Sequence, residues 1–334
     1  MKHMNEEYTT WEDALLQLEQ VKDGRLPPKD TPTLSNPLYA RAYTKFLHHG
    51  TMTNTLREGS DNEGGYLVPD EFERRIVQAM KEKNVMRRLG TVILTERTLK
   101  IPVAKGFGPA DWVPEEGVIP VTEGEFDEIK IEAHKVATTI RVSDELLEDS
   151  DFHLEDFIIS QFADRIARAE EQAFLDGDGN AKPLGLIHQL DREVTTAETG
   201  KISTDDLMEL IHAIPPKYRD GAVLLMHDST LRELYKLQTG NGNYIWNENL
   251  KKGQPLTILG HRVITSPAMP MIESGKVPIL FGNFSFYTIG DRQHRRVKRL
   301  NEVYAQQGQV AYIMSQRVDA KLLDKNAIAA LKMK

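Results

Sequence analysis

A chain of 334 residues, 40% of them hydrophobic and none of them cysteine, can bury the cores of about two domains at ~150 residues each, with no disulfide or thiolate metal site in either. The formal net charge of −8 makes it a poor general binder of nucleic acid, whose backbone demands clustered Lys and Arg. No stretch approaches the ~20 apolar residues of a membrane span, and the opening MKHMNEEYTTWEDALL lacks the apolar core of a signal peptide. The absence of cysteine suits a cytoplasmic product, in which the sequon Asn283-Phe284-Ser285 stays bare.

Thr10 is placed to cap a short helix with Trp11, Ala14, Leu15, Leu18 and Val21 on one face and Gly24 ending it. The stretch PPKDTPTLSNP, residues 27–37, follows as a stiff, extended linker. A one-stripe helix on such a tether has little core of its own and should dock elsewhere. Residues 38–49, LYARAYTKFLHH, form a second amphipathic helix that aligns Tyr39, Ala42, Tyr43 and Phe46. His48 and His49 point about 100° apart on it and cannot chelate one ion together. Residues 51–65 are polar and glycine-bearing, an arm or linker. EGGYLVP then gives a short extended piece before a third helix that ends near Gly90.

From 91 to 142 the period becomes two. Leu99, Ile101 and Val103 alternate, as do Ile129, Ile131 and Ala133, then Val136, Thr138, Ile140 and Val142. The phase slips between Ala133 and Val136, the signature of a bulge. KGFGPADWVPEEGVIPVTEGE, rich in Gly and Pro, joins the two arms, so the expectation is a long hairpin with a loose tip. Its strands carry few large apolar residues per face. Alone it would be marginal, and it needs a partner surface.

The longest helix is expected over 151–175, roughly 37 Å at ~1.5 Å per residue, capped by Ser150 or Asp151. Leu154, Phe157, Ile158, Phe162, Ile166, Ala169 and Ala173 make its stripe, and Asp164 and Arg168 an i,i+4 pair on the solvated side. Asp176-Gly177-Asp178-Gly179-Asn180 then resembles the opening of a calcium loop. Counting from Asp176, the sixth and twelfth places hold Ala181 and Ile187 instead of the glycine and bidentate glutamate such a loop requires. The better reading is a helix stop in which Gly177, Gly179 and Asn180 tolerate left-handed geometry.

Residues 203–290 alternate helical and extended pieces, a compact α/β domain. Ser203 to Asp206 cap one helix, AVLLMH at 222–227 is a buried strand, and Asp228 caps the helix of 228–238. GNGNY is a loop, and ILGHRVITS and PILFGNFSFYTIGD are strands. The tail QVAYIMSQRVDAKLLDKNAIAALKM adds two more strands, expected to return beside the long helix.

Motifs of chemistry are missing. There is no Walker loop, G-x-S-x-G elbow or H-E-x-x-H. GFGPAD and GNGNYI lack the third glycine and the strand-to-helix setting of a dinucleotide loop. His227-Asp228-Ser229 are sequence neighbours that do not converge as a triad, and Glu115-Glu116 are solvated carboxylates. His294-Arg295-Arg296-Val297-Lys298-Arg299 is the one dense basic run; its charges alternate faces on a strand, so a subunit contact or solvated strand outweighs a nucleic-acid patch. No catalytic set, cofactor or metal is expected.

EGGYLVPDEF (63–72), ADWVPEEGVIPVTEGEFDEIKI (110–131), HKVATTIRVSDELLEDS (134–150), EEQAFLDGDGNAKPLGLI (170–187), LTILGHRVITSPAMP (256–270) and ILFGNFSFYTIGDR (279–292) resemble, in collinear order, the major capsid proteins of tailed bacteriophages of the Hong Kong ninety-seven type. The resemblance runs from about residue 38 to 334 and implies that family's α+β fold. It divides the chain into N-terminal helices and proline-rich linker (1–50), N-arm and first helix (51–90), and extended E-loop hairpin (91–135). A peripheral domain with its spine helix (136–202), an axial domain (203–305) and return strands to the peripheral domain (306–334) complete it. Implied too is self-assembly into hexamers and pentamers that close an icosahedral shell around phage or prophage double-stranded DNA, without sequence-specific binding and without a membrane. Scaffold, maturation protease and portal proteins are the further partners, the host cytoplasm the place of assembly, and the virion the destination.

On that reading the hairpin residues Lys105, Trp112, Glu116 and Phe126 lie at subunit interfaces. Trp112, beside Val113 and Pro114, has no local core to enter. Some relatives weld subunits through a lysine–asparagine isopeptide bond assisted by a buried glutamate. Here Lys105 is available, but Gly308 and Ser315 stand near the asparagine and glutamate positions, and Asn301 and Glu302 are expected too far upstream. An encapsulin-like cargo shell would share the fold, with the N-terminal arm and GGYLVP against it. A soluble α/β enzyme is the alternative of another class, disfavoured because no convergent polar set is visible.

Overall fold

A computed structural model describes residues 36–51, 56, 66–106, 125–148, 153–238, 256–292 and 295–334. The helix expected at 10–24, its proline tether, most of the polar arm, the hairpin tip and the GNGNY loop lie outside them. The described residues form an α+β protein of two mixed sheets, with a two-stranded hairpin standing off the first.

In chain order, helix α1 (Pro37–His49) leads through strand β1 (Tyr66–Leu67) to α2 (Asp70–Lys83), α3 (Val85–Leu89) and β2 (Thr91–Thr95). The hairpin is β3 (Leu99–Gly106) with β4 (Glu125–Ile131), followed by β5 (His134–Ser143), the short α4 (Asp144–Glu148) and the spine helix α5 (Leu154–Asp176). The second unit comprises β6 (Glu193–Thr195), α6 (Thr204–His212), β7 (Val223–Met226), α7 (Asp228–Tyr235), β8 (Thr257–Ile258), β9 (His261–Thr265) and β10 (Ile279–Gly282). The chain then returns through β11 (Tyr287–Arg292), β12 (Arg296–Leu300), β13 (Gln309–Leu322) and β14 (Ile328–Lys332).

The 14-residue β13 organises the first sheet. β5 pairs along one edge, from Gln309↔Ser143 to Val318↔His134, while β12 and then β11 pair along the other. β2 runs parallel to β11, and β1 closes the far side on β12. The spine helix lays Leu154, Ile158, Phe162 and Ile166 on this sheet, with the Tyr39, Tyr43, Phe46 face of α1 and Phe72, Ile76 and Met80 of α2 completing the core. Two tyrosine hydroxyls pin α1: Tyr39 donates to the Leu67 carbonyl at 2.8 Å, and Tyr312 of β13 to the Leu47 carbonyl at 2.6 Å. The second sheet has the order β6-β14-β10-β7-β9-β8. Its central strands β7 and β10 are buried at every residue, the mark of a sheet covered on both faces.

Several local expectations change on contact with the tertiary structure. The spine helix begins at Leu154 with His153 as its N-cap and no side-chain capping bond, so neither Ser150 nor Asp151 is the cap. Its 23 residues rise roughly 34 Å at ~1.5 Å each. At its end Gly177 has φ −71, an ordinary extended value, and positive φ falls to Gly179 and Ala181. Gly177 is required for closeness: an added Cβ would lie 2.2 Å from the Pro183 carbonyl oxygen and 2.5 Å from that of Ala173. Asp178 accepts from the Asn180 N–H at 3.0 Å, an Asx turn in place of a calcium loop. The phase slip after Ala133 marks a junction where β4 stops and β5 joins another sheet, not a bulge within one strand. The bulge is in the hairpin itself, between Ala104 and Gly106. His227 caps α7, its ring nitrogen accepting from the Ser229 N–H at 3.0 Å, and Asp228 is the first helical residue. The capping box of Ser203 and Asp206 forms as read. Of the two tail strands β13 lies in the first sheet, whereas β14 inserts between β6 and β10 of the second.

The third helix also differs: it breaks at Asn84, which is extended, into α2 and α3. Asn84 is fully buried and holds the break from both sides. Its carboxamide oxygen caps α3 through the Arg87 N–H at 3.0 Å, and its amide donates to the Ala167 carbonyl of the spine helix at 3.1 Å. Replacing it by alanine uncaps the Arg87 N–H and removes the bond to the spine helix, so Asn84→Ala should cost about 2–3 kcal/mol, measured as a lowered urea midpoint with unchanged m-value.

Candidate functional site

Two features are candidates for function: the projecting hairpin and a buried ion network behind its base. Among the described residues of the hairpin only Leu99 and Ile131, its innermost registered pair, are buried; they pack with Ile93 of β2 and with Ile101. Beyond them Pro102, Asp127, Glu128 and Lys130 are exposed. Lys100 and Lys130 meet Glu128 at 3.3 and 3.7 Å, half-exposed pairs worth little. Lys105 lies in β3 and Phe126 in β4, but their side chains, and the whole of Trp112 and Glu116, fall outside the described residues.

The network sits where the spine helix passes from one apolar core to the other. Leu154 to Ala167 belong to the first core, Phe174 and Leu175 to the second, and Glu170 and Glu171 lie buried between. Arg87 of α3 forks onto Glu170 at 2.7 and 2.8 Å and onto Asp291 of β11 at 2.7 and 2.9 Å. Arg295 reaches Asp291 at 3.0 Å, Glu73 of α2 at 2.9 Å and the Gln316 carboxamide of β13 at 2.7 Å. Gln316 donates in turn to Glu170. Glu171 accepts from the Ser266 hydroxyl at 2.5 Å, tying the helix to the second sheet.

Arg295 therefore corrects the reading of the basic run as a solvated or contact strand. Arg295 stands immediately before β12 and turns inward, 2% exposed, into a cage of carboxyls. Arg299 of the same run bonds the Tyr312 hydroxyl and the His48 carbonyl within the subunit. Arg87, Glu170, Asp291 and Asp319 escaped the sequence reading because nothing local marks a charged residue as buried. The one available signal was Glu170-Glu171 falling on the apolar stripe of a helix.

A cleft of about 330 Å³ opens beside Glu170, between the spine helix, β5 and residues 181–183. Its buried carboxyl is already engaged by Arg87 and Gln316, which leaves no proton-transfer group free on that wall. Among the described residues no cluster of His, Cys, Asp or Glu could hold a metal ion. The turn 301–308 also changes one geometric argument. Asn301 and Glu302 are not strung out upstream of Gly308 but share a hairpin turn with it, since Leu300 registers with Ala311. Asn301 is engaged by Arg299, and Glu302 is exposed to solvent rather than desolvated.

Burial raises the Glu170 carboxyl above the ordinary carboxylate range, and Arg87 only partly offsets it. Burial raises Glu171 as well, against the Ser266 hydrogen bond. Burial acts on Asp291 in the same sense, but Arg87 and Arg295 outweigh it and hold the carboxyl low. The two kinds of group have opposite linkage. Glu170 and Glu171 add stability as pH falls through their raised folded values, complete below the ordinary ~4.3; Asp291 loses its contribution below ~3.9. Urea midpoints should rise from neutral pH to a maximum in mild acid and then fall, with the rise reduced in Glu170→Gln. Arg295→Met removes the buried guanidinium that Glu73 and Asp291 share and should cost about 3–5 kcal/mol, read from the same titrations.

The family model described as the phage capsid family matches residues 64–333. The major capsid protein of Klebsiella oxytoca phage phiKO2 is 24% identical over 250 residues, which are 70% of this chain and 57% of that protein. The chain thus spans little more than half the length of that curated relative. The major capsid protein of Escherichia phage T5 is 28% identical over 123 residues, 35% of this chain and 27% of that one. Among solved structures, the capsid of a native GTA particle superposes with a TM-score of 0.67 at 28% identity, covering 74% of this chain and 89% of that one. A Mycobacterium phage Bobi structure shares the fold at a TM-score of 0.59 and 20% identity, over 75% and 90% of the respective chains. With the tailed-phage capsid fold in place and its model matched along most of the sequence, this chain belongs to the phage capsid family.

Proposed function

We propose that the chain is a structural shell subunit of the Hong Kong ninety-seven type, which assembles with its own copies into hexamers and pentamers around double-stranded DNA. The observation that carries this reading is the hairpin. Its strands extend beyond Leu99 and Ile131 with no buried residue among the described ones, so their stability has to come from a surface outside the subunit. The spine helix and first sheet correspond to the peripheral domain in this proposal, and the second sheet to the axial domain. Residues 1–50 are N-terminal helices and a proline-rich linker, of which α1 packs into the first core; scaffold, maturation protease and portal are the partners, and the bacterial cytoplasm is the site of assembly. Purified protein, with scaffold supplied where needed, should appear in electron micrographs as rings or closed particles. A strictly monomeric species by light scattering at all salt and protein concentrations defeats the proposal. Closed shells that never enclose nucleic acid in infected or induced cells favour the cargo-shell alternative.

Trp112, Glu116, Phe126 and Lys105 remain proposed interface residues. Trp112→Ala should raise the concentration needed for assembly at least tenfold, the effect of removing an aromatic hot spot of about 2 kcal/mol, while the subunit's unfolding midpoint stays near the parent's. Equal loss of both places Trp112 inside one subunit's core. The shell is proposed to be held without covalent welds, because the carboxylate nearest the turn, Glu302, is exposed and an isopeptide reaction needs a desolvated one. Particles boiled in detergent should run as one band at 37.9 kDa. A ladder lost in Lys105→Ala overturns this.

A further inference from the structure

Two links tie the hairpin to the body: residues 96–98 after β2 and, as the shorter joint, Glu132 and Ala133 between the end of β4 and the start of β5. What grips this joint decides where the hairpin points. One grip is steric: Ile131 sits over Gly290 of β11, its Cγ2 2.5 Å from where a Cβ on that glycine would be. The other is polar. Asp319 of β13 is fully buried, and its Oδ2 accepts from the Glu132 N–H at 2.9 Å. Its Oδ1 accepts from the Ala320 N–H at 2.8 Å, and the His134 ring and Lys321 ammonium lie 3.9 and 3.8 Å away. Gly290 and Asp319 are direct cross-strand partners. Notch and carboxylate therefore face the joint side by side from adjacent strands.

We propose that Asp319 is a positioning residue that fixes the angle at which the hairpin leaves the subunit, and so the geometry with which subunits meet. The proposal rests on the hairpin being a subunit contact. A buried carboxylate is costly unless its oxygens are satisfied, and here one oxygen is spent on the joint and the other on its own strand. No described residue of the hairpin beyond Ile131 is buried, so contacts at this joint bear directly on the direction of the projection. Asparagine has the same size but one acceptor oxygen and an NH2 group. In Asp319→Asn either Glu132 or Ala320 must point its N–H at another donor.

The natural chain has no cysteine, so Glu128→Cys in the hairpin and Gln172→Cys on the spine helix, both exposed, take spin labels cleanly. Electron–electron distances in dilute, unassembled subunits should give one narrow distribution for the parent and a broadened or displaced one for Asp319→Asn, with cooperative unfolding retained. An unchanged distribution overturns the proposal. If Asp319→Asn does not fold, Gly290→Ala pushes on Ile131 from the other grip and should displace the same distance, with recovery in the Gly290→Ala, Ile131→Ala pair; no displacement again overturns it. In assembly, Asp319→Asn should give particles of mixed curvature where the parent gives one class. If the distance changes but no version of the chain forms particles, the shell reading fails while the assignment of the joint stands.

Discussion

Two guanidinium groups set among three carboxyls, all buried, hold this subunit's principal elements to one another. Arg87 comes from α3, Arg295 from the residue just before β12, Glu73 from α2, Glu170 from the spine helix and Asp291 from β11. Each arginine uses its planar fork to join two or three of them, a geometry a lysine could not reproduce. Such a network is not a cheap source of stability, since desolvating five charges offsets much of their attraction. Its effect is on uniqueness. An apolar seam at this junction would let the spine helix slide against β11 and β13, whereas the bidentate bonds are satisfied in one registration only. Three carboxyls share two arginines, and burial, more than the neighbouring Asp291 charge, raises the Glu170 carboxyl among them.

The spine helix is thus gripped in its middle and apolar at both ends. Its N-terminal part packs on α1, α2 and the first sheet, its C-terminal Phe174 and Leu175 on the second core, and Glu171 bonds Ser266 beyond β9. A displacement at one end is carried to the other because the polar middle does not yield separately. Asn84 adds a further fixed point through Ala167. The hairpin is the opposite case, joined to this rigid body by two short links, with no residue beyond its first pair buried among those described.

What the sequence disclosed was whatever is encoded within a few residues. The face of α1, the Ser203–Asp206 box, the buried AVLLMH strand and the alternation of the hairpin strands all depend on near neighbours or on a period. What it withheld depends on partners far along the chain. Arg87 meets Glu170 across 83 residues and Asp291 across 204, and Arg295 meets Glu73 across 222. The joint at Glu132 is held by a residue 187 positions away. A basic run therefore read as surface because its compensating acids were elsewhere. The helix break at Asn84 was hidden for the same reason: its stabilising acceptor, the Ala167 carbonyl, belongs to another element. The contact proposed for the hairpin was legible only indirectly, through the shortage of large apolar residues in its strands.

The placement of β14 has a temporal consequence. This strand lies between β6 and β10, buried at Ile328 to Leu331, and β10 cannot acquire its second neighbour without it. The rest of that sheet emerges earlier: β7 about a hundred residues before, β6 earlier still. During synthesis at ~5–20 residues per second, the second unit therefore waits, with an open edge on β10, until residue 332 has left the ribosome. Only then does the long-range pairing that closes it become available, the slow class of contact in folding. The last strand in chain order is therefore the one that completes the second sheet.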